Sequence, residues 1–246
     1  MKKTVTVLIP KDKGIPQIHR LRPLHIVEPE VNALAKALWA KKLMAVAESN
    51  GNMTNDQFGG RKNRQAQSAV LNKLLYYDIN RQSMVEAQYD DIDMKSNYDR
   101  ELVRLVSAEA RVKLGLHKDD AKFMVNFVEK QQFHVKTKYG VSEKHYTYEE
   151  NENLYGLGQG IAWSGPGWLL SSSTLAECKK KSCVGMVYTS PINKELEVKK
   201  DQDMFVDDMG CGCNKVEEKT NNKSVSCNKP NIIYRSISTT LKLRAA

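Results

Sequence analysis

The stretch Met204-Phe205-Val206-Asp207-Asp208-Met209-Gly210 decides how the rest of the sequence is interpreted. A short apolar run ends there in two adjacent carboxylates and a glycine, which predicts a strand that places negative charge at the tip of a tight turn. Successive side chains of a strand point to opposite faces, so such a pair is useful mainly beside a cation. A solvated turn explains the same residues, and the choice depends on the rest of the chain.

The composition indicates an intracellular, soluble protein that favours polyanionic partners. The chain has 246 residues, 41% hydrophobic and 27% charged, which is enough for one large domain or two small ones. Its formal net charge of +9 favours nucleic acid first and acidic membrane surfaces second. No apolar run approaches the ~20 residues of a membrane span, and the amino-terminal Thr-Val alternation is unlike a signal peptide. We therefore expect a cytoplasmic or nuclear location.

The cysteines do not predict a disulfide framework, because their number is odd and they lie only in the second half of the chain. They are Cys178, Cys183, Cys211, Cys213 and Cys227. Cys211-Gly212-Cys213 suits a metal site, but the spacing is not a paired C-x2-C and no histidine follows. Thiols outside any disulfide are the favoured interpretation.

Apolar periodicity predicts a mixed α and β chain. Strands are predicted at 4–10, 21–27 and 85–93, and helices at 31–49, 66–79, 119–135 and 164–178, with a further helix through Leu102 to Ala110. The stripes through Trp39 and Leu74 are interpreted as core, and His134 is expected on the surface. After Glu177 the charged composition predicts little order, apart from an edge strand within 232–243.

Two loops have compositions that suit ligand binding. The turn of the first hairpin is basic through Lys11, Lys13, His19, Arg20 and Arg22, which suits phosphate binding or, alternatively, protection of a sheet edge. The stretch 154–170 is rich in glycine, which lets a backbone pass close to a ligand, and Gln159 can both donate and accept there. A plain tight connection is the default explanation of that loop.

Two separated groups of carboxylates suggest metal chemistry. Asp93 ends a predicted strand where a helix begins, and Asp207-Asp208 end another. Carboxylates on two adjoining strands can hold two divalent ions ~3.5 to 4 Å apart, which is the chemistry of nucleotidyl transfer. Magnesium prefers oxygen ligands, and this preference explains aspartates in place of histidines or cysteines.

Five motifs follow one another in fixed order between residues 9 and 210. They are Ile9-Pro10-Lys11 with Arg22-Pro23-Leu24, Gln57-Phe58-Gly59-Gly60-Arg61 with Arg64, Asp93-Met94-Lys95-Ser96-Asn97-Tyr98-Asp99, Gly156-Leu157-Gly158-Gln159-Gly160 with Ser164 and Pro166, and Phe205-Val206-Asp207-Asp208. In this order they resemble the fingers hairpin, the fingers turn and motifs A, B and C of the reverse transcriptases, most closely the group II intron and non-LTR retroelement type. The usual Ser-Pro of motif B is lengthened by Gly165.

The resemblance implies an α+β fold with polymerase fingers and palm, in which an antiparallel palm sheet is backed by helices. The fingers-like region would be 1–84, the palm-like region 85–214, and 215–246 a polar, poorly ordered tail, all within one reverse transcriptase domain. The residues after Asp208 do not resemble a thumb. We therefore expect a truncated copy or one segment of a larger element.

The resemblance also implies roles for seven residues. The catalytic and metal-binding carboxylates would be Asp93, Asp207 and Asp208, which would bind two Mg²⁺ ions, with Mn²⁺ as an alternative. The residues at the incoming nucleotide would be Lys11, Arg22, Tyr98 and Gln159. The two basic residues would bind the triphosphate, Gln159 would lie against the nucleotide, and the aromatic ring of Tyr98 would exclude a 2′-hydroxyl.

Two functions from different classes remain open at this point. The first is an RNA-directed DNA polymerase, a nucleotidyltransferase that extends a DNA primer's 3′-hydroxyl with deoxynucleoside triphosphates on an RNA template. The second is a truncated, inactive retroelement remnant that binds RNA without turnover. An RNA-copying RNA polymerase would favour a small or acidic residue in place of Tyr98. No membrane partner is expected.

Overall fold

The computed structural model describes residues 2–11, 17, 20–85, 87–94, 97–149, 153–182, 185–190, 192–214 and 235–239. In chain order the elements are β1 (Lys2–Pro10), β2 (Leu21–Ile26), α1 (Pro29–Ala35), a π-helix (Lys36–Leu43), α2 (Met44–Ser49), α3 (Ala66–Gln82), β3 (Ala87–Asp93), α4 (Asn97–Arg100), α5 (Val103–Leu114), α6 (Lys118–Glu129), β4 (Gln131–Thr137), β5 (Gly140–Val141), α7 (Ser164–Ser182), β6 (Met186–Thr189), β7 (Glu197–Lys200), β8 (Gln202–Phe205), β9 (Asp208–Asn214) and β10 (Arg235–Thr239). Among the helices of these residues, none combines the length and apolar character that a membrane crossing requires.

Contacts divide the chain into two compact units, each built from two segments. Unit 1 comprises residues 1–53 and 96–171, and unit 2 comprises residues 54–95 and 172–246. The fingers-like and palm-like regions at 1–84 and 85–214 stay functional predictions. The predicted tail at 215–246 lies outside the described residues except for β10.

Unit 1 contains a four-stranded sheet in the order β2-β1-β4-β5. The predicted first hairpin is confirmed, because β1 and β2 are antiparallel with Ile9 opposite Arg22. Its basic tip lies largely outside the described residues, at 12–16 and 18–19. A parallel pairing of β1 with β4 places Thr4 beside Phe133. That pairing joins segments more than a hundred residues apart.

The core of unit 1 is built from the helical segment 29–49 and from α5, α6 and the start of α7. Pro29 opens this segment, where its missing N–H costs nothing, and Gly51 at φ +65° lies just after its end. The predicted helix at 31–49 is confirmed, although its middle is π-helical. Trp39, Met124 and Trp163 are completely buried in this core, and burial of each large apolar side chain stabilises the fold by about 1.5–3 kcal/mol.

The predicted helix at 119–135 is wrong in its last third. Helix α6 ends at Glu129, and residues 131–137 form β4 because pairing with β1 supplies the backbone hydrogen bonds. His134 therefore lies on a strand and is only 7% exposed, so the expectation of a surface position is also wrong. Its Nδ1 lies 2.9 Å from the carbonyl oxygen of Ser142.

Unit 2 contains a four-stranded antiparallel sheet in the order β10-β3-β9-β8 and a two-stranded sheet of β6 and β7. The predicted edge strand is confirmed as β10, which pairs with β3. The expected loss of order after Glu177 is wrong at 179–182, where α7 continues, and at 197–200, where β7 forms, while the stretch 215–231 of the same prediction lies outside the described residues. The core assignment of Leu74 on α3 is wrong as well, since 54% of this residue is exposed.

Candidate active site

The carboxylate hairpin of unit 2 consists of β8, a two-residue turn and β9. Phe205 pairs with Asp208, so the turn residues are Val206 and Asp207, one position earlier than the sequence predicted. Met204 and Met209, also opposite each other, are buried, at 0% and 3% exposed. These two apolar side chains fix the register, because a slip by one residue would turn both of them to the other face.

The turn itself is strained at Val206, whose φ is +58°. A β-branched residue rarely adopts this region, and two-residue turns of this kind favour glycine at such a position. The left-handed conformation costs an L-residue roughly 1–2 kcal/mol. Neighbouring groups therefore hold this turn in place, as is common where backbone geometry serves a site.

Strands β3 and β9 bring two of the predicted carboxylates together. Asp93 lies directly opposite Asp208 in the antiparallel register, and Asp207 precedes Asp208. Side chains of directly opposed residues share a face, with Cβ atoms about 4.5–5.5 Å apart. The structure thus places all three predicted aspartates at one end of one sheet.

Several carboxylates lie close together at the end of the sheet that holds the three aspartates, and their charges repel one another. Burial raises the pKa of the Asp208 carboxyl, and the charges of Asp207, Asp93 and Asp91 raise it further. A carboxyl crowded by like charges is a common feature of functional sites, because a bound cation removes the repulsion.

The three aspartate carboxylates are the type of ligand that a hard divalent cation prefers, but their side chains are not arranged around a common point. Carboxylate oxygens are the ligands that Mg²⁺ prefers. Among the residues with a described structure, no three His, Cys, Asp or Glu side chains are arranged to hold one ion. Asp93 and Asp208 are both exposed to solvent. Two of the cysteines, Cys211 and Cys213, lie on β9 and form no disulfide.

The four residues predicted at the nucleotide all belong to unit 1. The carbonyl oxygen of Tyr98 accepts from Leu157 N at 2.8 Å, and that of Gln159 accepts from His25 N at 2.7 Å. The Tyr98 ring lies 6.4 Å from that of Trp168.

Lys11 and Arg22 both act electrostatically on Asp99, the residue that follows Tyr98. Burial raises the pKa of the Asp99 carboxyl, and the positive charges of Lys11 and Arg22 partly offset that rise. Lys11 and Arg22 are thus near enough to Asp99, on α4, for their charges to act on its carboxyl.

The glycine-rich loop packs closely against β2. Gly160 has φ +103°, and a Cβ there would lie 2.7 Å from the carbonyl oxygen of His25, so only glycine fits. The loop is fastened by the Trp163 indole, which donates to Leu157 O at 2.9 Å, and by Ser164 Oγ, which donates to the same oxygen at 2.8 Å. These contacts attach the glycine-rich loop to β2 and to the residues at the start of α7.

An aromatic cleft of about 230 Å³ in unit 1 was not predicted from the sequence. Its principal side chains are His25, Asp99, Phe133, Tyr146, Tyr148 and Tyr155. Tyr146 is stacked on Phe133 with ring centroids 4.8 Å apart and planes 10° apart, while half of Tyr146 stays exposed. The only signal in the sequence is the spacing of the tyrosines after β5, and this spacing is also typical of an ordinary strand. The rings that they contact, such as Phe133, are distant in sequence.

Comparisons with known proteins give matches in fold only. No protein-family model matches the sequence, and no curated protein matches it. Apo telomerase from Candida tropicalis, truncated from its C-terminal domain, is 16% identical with a TM-score of 0.50, over 85% of this chain and 43% of that chain. Telomerase from Candida albicans, in complex with a TWJ fragment of telomeric RNA, is 12% identical with a TM-score of 0.55, over 86% of this chain and 37% of that chain.

A third structure, telomerase from Candida tropicalis with a TWJ fragment of telomeric RNA, is 14% identical with a TM-score of 0.51, over 85% of this chain and 36% of that chain. The chain thus spans less than half the length of each of these telomerases. At such identities the likeness shows the fold alone, and that fold is similar to the one of telomerase, a reverse-transcriptase-related enzyme.

Proposed function

We propose that this chain is the fingers and palm of an RNA-directed DNA polymerase of the group II intron or non-LTR retroelement type. The single observation that supports this most strongly is the register of β3 and β9, which sets Asp93 opposite Asp208 and beside Asp207. The fold shared with telomerase structures supports the reverse-transcriptase-like fold in this proposal, while the group II intron or non-LTR type rests on the sequence motifs alone. The reaction joins a deoxynucleoside triphosphate to a primer's 3′-hydroxyl on an RNA template, and it takes place inside the cell.

In this proposal each site residue has one task. Two Mg²⁺ or Mn²⁺ ions, when bound, would activate the primer hydroxyl and neutralise the leaving pyrophosphate. Asp93, Asp207 and Asp208 would hold them, and their crowding at one sheet end supports that role.

The unit 1 residues would act on the nucleotide. Lys11 and Arg22 would bind its phosphates through charge-assisted hydrogen bonds. The ring of Tyr98 would exclude a 2′-hydroxyl, and Gln159, on the loop fastened to β2, would lie against the nucleotide.

Primer extension on an RNA template with a DNA primer and Mg²⁺ tests the proposal. Asp207→Asn and Asp93→Asn each remove one ionic ligand, and we expect both to lower the rate at least about 100-fold. Asp78→Asn is the matched control, since Asp78 is an exposed carboxylate on α3 of the same unit, paired with Arg81 at 3.2 Å. Robust extension by the Asp207→Asn variant would contradict the proposal.

The aromatic cleft favours a second candidate function, RNA binding without turnover. Exposed aromatic faces stack on unpaired bases and contribute about 1–3 kcal/mol for each base, and a volume of about 230 Å³ admits one base. The net charge of +9 supplies attraction to the phosphates.

Binding of single-stranded RNA at several salt concentrations separates the two candidates. Tyr146→Ala should weaken binding roughly 5- to 150-fold, which corresponds to the loss of one stacking partner. Tyr139→Ala is the control, because Tyr139 is 87% exposed outside the cleft. Salt-sensitive binding without incorporation favours the second candidate, and equal affinities of the two variants would exclude the cleft as a binding site.

A further inference from the structure

The strained turn of unit 2 is held by one side chain from a distant part of the sequence. Gln57 is completely buried. Its Oε1 accepts from Val206 N at 3.0 Å, and its Nε2 donates to Val206 O at 3.2 Å. A single amide thus satisfies both polar backbone groups of the residue at positive φ.

The remaining hydrogen bonds of this amide fix its orientation. Oε1 also accepts from Gly59 N at 3.0 Å, and Nε2 also lies 3.3 Å from Ser172 Oγ. A primary amide can accept two hydrogen bonds and donate two, so all its capacity is used. Because two backbone N–H groups converge on one end, that end must be the oxygen.

The residues on both sides of Gln57 are fitted to the same hairpin. Met204 N donates to Asp56 O at 2.7 Å, and Phe58 N donates to Met204 O at 2.8 Å, so the segment lies along β8. A Cβ on Gly59 would lie 2.4 Å from Val206 N, and no other residue type fits there. The sequence resemblance assigned 57–61 to a fingers turn, whereas these contacts tie the segment to the carboxylate hairpin.

We propose that Gln57, with Gly59, is a positioning residue that keeps the Val206 turn at positive φ and thereby fixes the Asp207 and Asp208 carboxylates. Its effect on nucleotidyl transfer rests on the proposed function, whereas its hold on the turn is a property of the folded chain. Loss of the amide frees the turn to relax toward the ordinary φ of a valine. Relaxation moves the two carboxylates, and a misplacement of about 1 Å is enough to lower a rate about 100-fold.

Hydrogen exchange measured by mass spectrometry tests the hold on the turn without any need for activity. In Gln57→Leu the Val206 amide loses its acceptor, so we expect its exchange to rise at least about 10-fold. Gln57→Glu keeps an oxygen that accepts from Val206 N, so its exchange should rise less. Gln88→Leu, a change at an exposed glutamine on β3, is the control and should leave exchange unchanged. A Gln57→Leu variant whose Val206 amide exchanges as slowly as in the control would overturn the proposal.

A glycine rescue separates positioning from a general loss of stability. Glycine adopts positive φ without steric cost, so Val206→Gly should keep the turn in place when Gln57 is absent. We expect Gln57→Leu to lower kcat for primer extension roughly 10- to 100-fold with little change in KM, and the double variant Gln57→Leu/Val206→Gly to recover at least half of that loss on a logarithmic scale. Absence of rescue, with both proteins folded by circular dichroism, would refute the positioning role.

The outcomes for the two proposals are distinguishable. A wild-type chain that is inactive but shows the exchange difference would refute the polymerase proposal and leave the hold on the turn supported. An active wild type with unchanged exchange and kcat in Gln57→Leu would refute the role of Gln57 alone.

Discussion

Replacement of Lys200 by methionine should be among the most destabilising single changes in unit 2. Lys200 Nζ lies 3.0 Å from Asp56 Oδ1 and 2.7 Å from Asp203 Oδ1, and its side chain is only 12% exposed. Lys180 Nζ lies 2.6 Å from the second oxygen of Asp56. Burial acts to lower the pKa of Lys200, but hydrogen bonds and charges of Asp203 and Asp56 outweigh it and leave the pKa raised.

The loss of stability in Lys200→Met depends on which carboxylate loses its positively charged partner. After Lys200→Met, Asp56 keeps Lys180, whereas Asp203, itself 13% exposed, loses its cation. Removal of one partner from a buried pair costs about 3–5 kcal/mol, which lowers the Tm of a chain of this size by roughly 10 °C. Arg81→Met is the control, because Arg81 and its partner Asp78 on α3 of the same unit are 67% and 59% exposed and lie 3.2 Å apart, so its loss should cost less than about 1 kcal/mol.

Chemical denaturation at two pH values measures this effect. Burial already raises the pKa of Asp203 in the wild type, with Lys200 opposing the rise, so removal of the lysine raises it further. When the pKa of Asp203 is higher in the folded state than in the unfolded state, the stability that this carboxyl contributes is present at low pH and is lost as the pH rises through the folded-state pKa. The deficit of Lys200→Met should therefore be larger at pH 7 than at pH 4, and Asp203→Asn should restore part of it. A deficit at pH 7 no larger than that of Arg81→Met would refute the reasoning.

Three further predictions concern Asp208, Glu101 and Tyr98. The raised pKa of Asp208 means that protons compete with a metal ion for this carboxylate, so the Mn²⁺ affinity of the proposed site, measured by calorimetry, should fall as the pH is lowered from neutral into the acidic range, and Asp208→Asn should flatten that dependence. Burial, with a contribution from the charge of Glu109, raises the pKa of Glu101 from 4.5 to about 7. The stability that this group contributes is therefore present below pH 4.5 and lost as the pH rises toward 7. Glu101→Gln should stabilise the chain at pH 8 by up to about 3 kcal/mol, measured by urea denaturation. Tyr98→Ala should raise the use of ribonucleotides relative to deoxynucleotides at least about 10-fold in primer extension, because the proposed barrier to a 2′-hydroxyl is a ring.

Local patterns predicted the parts of the fold that depend on neighbouring residues. The β1–β2 hairpin follows from alternation and turn residues, and the β8–β9 turn lies within one position of its predicted place. The helix at 66–79 follows from periodicity and is confirmed as α3. Its apolar stripe was nevertheless assigned to the core, whereas Leu74 is exposed, because periodicity identifies a face and not the element that covers it.

The errors arose where pairing between distant segments decided the structure. Residues 131–135 continue an amphipathic helical pattern, yet they form β4 because β1 offers a parallel partner. Strand propensity depends on context to this extent because cross-strand packing supplies much of the stability. The charged stretch around β7 was predicted to lack order from its composition, which does not reveal that β7 pairs with β6.

The sequence identified the three aspartates that meet in the candidate site, but it did not identify the side chains that contact their turn, and the metal chemistry stays a prediction. Aspartates at strand ends identify themselves by type and position, whereas the amide that holds Val206 is 149 residues away in sequence. Asp56 and Gln57 are consecutive, and between them they contact the charge cluster around Lys200 and the backbone of the turn. A buried polar network of this kind costs desolvation, and an apolar replacement of similar shape is often more stable. Hydrogen bonds are directional and apolar packing is not, so in the positioning role proposed for Gln57 they fix the backbone of the turn that carries the mutually repelling carboxylates, which the packing of Met204 and Met209 does not do.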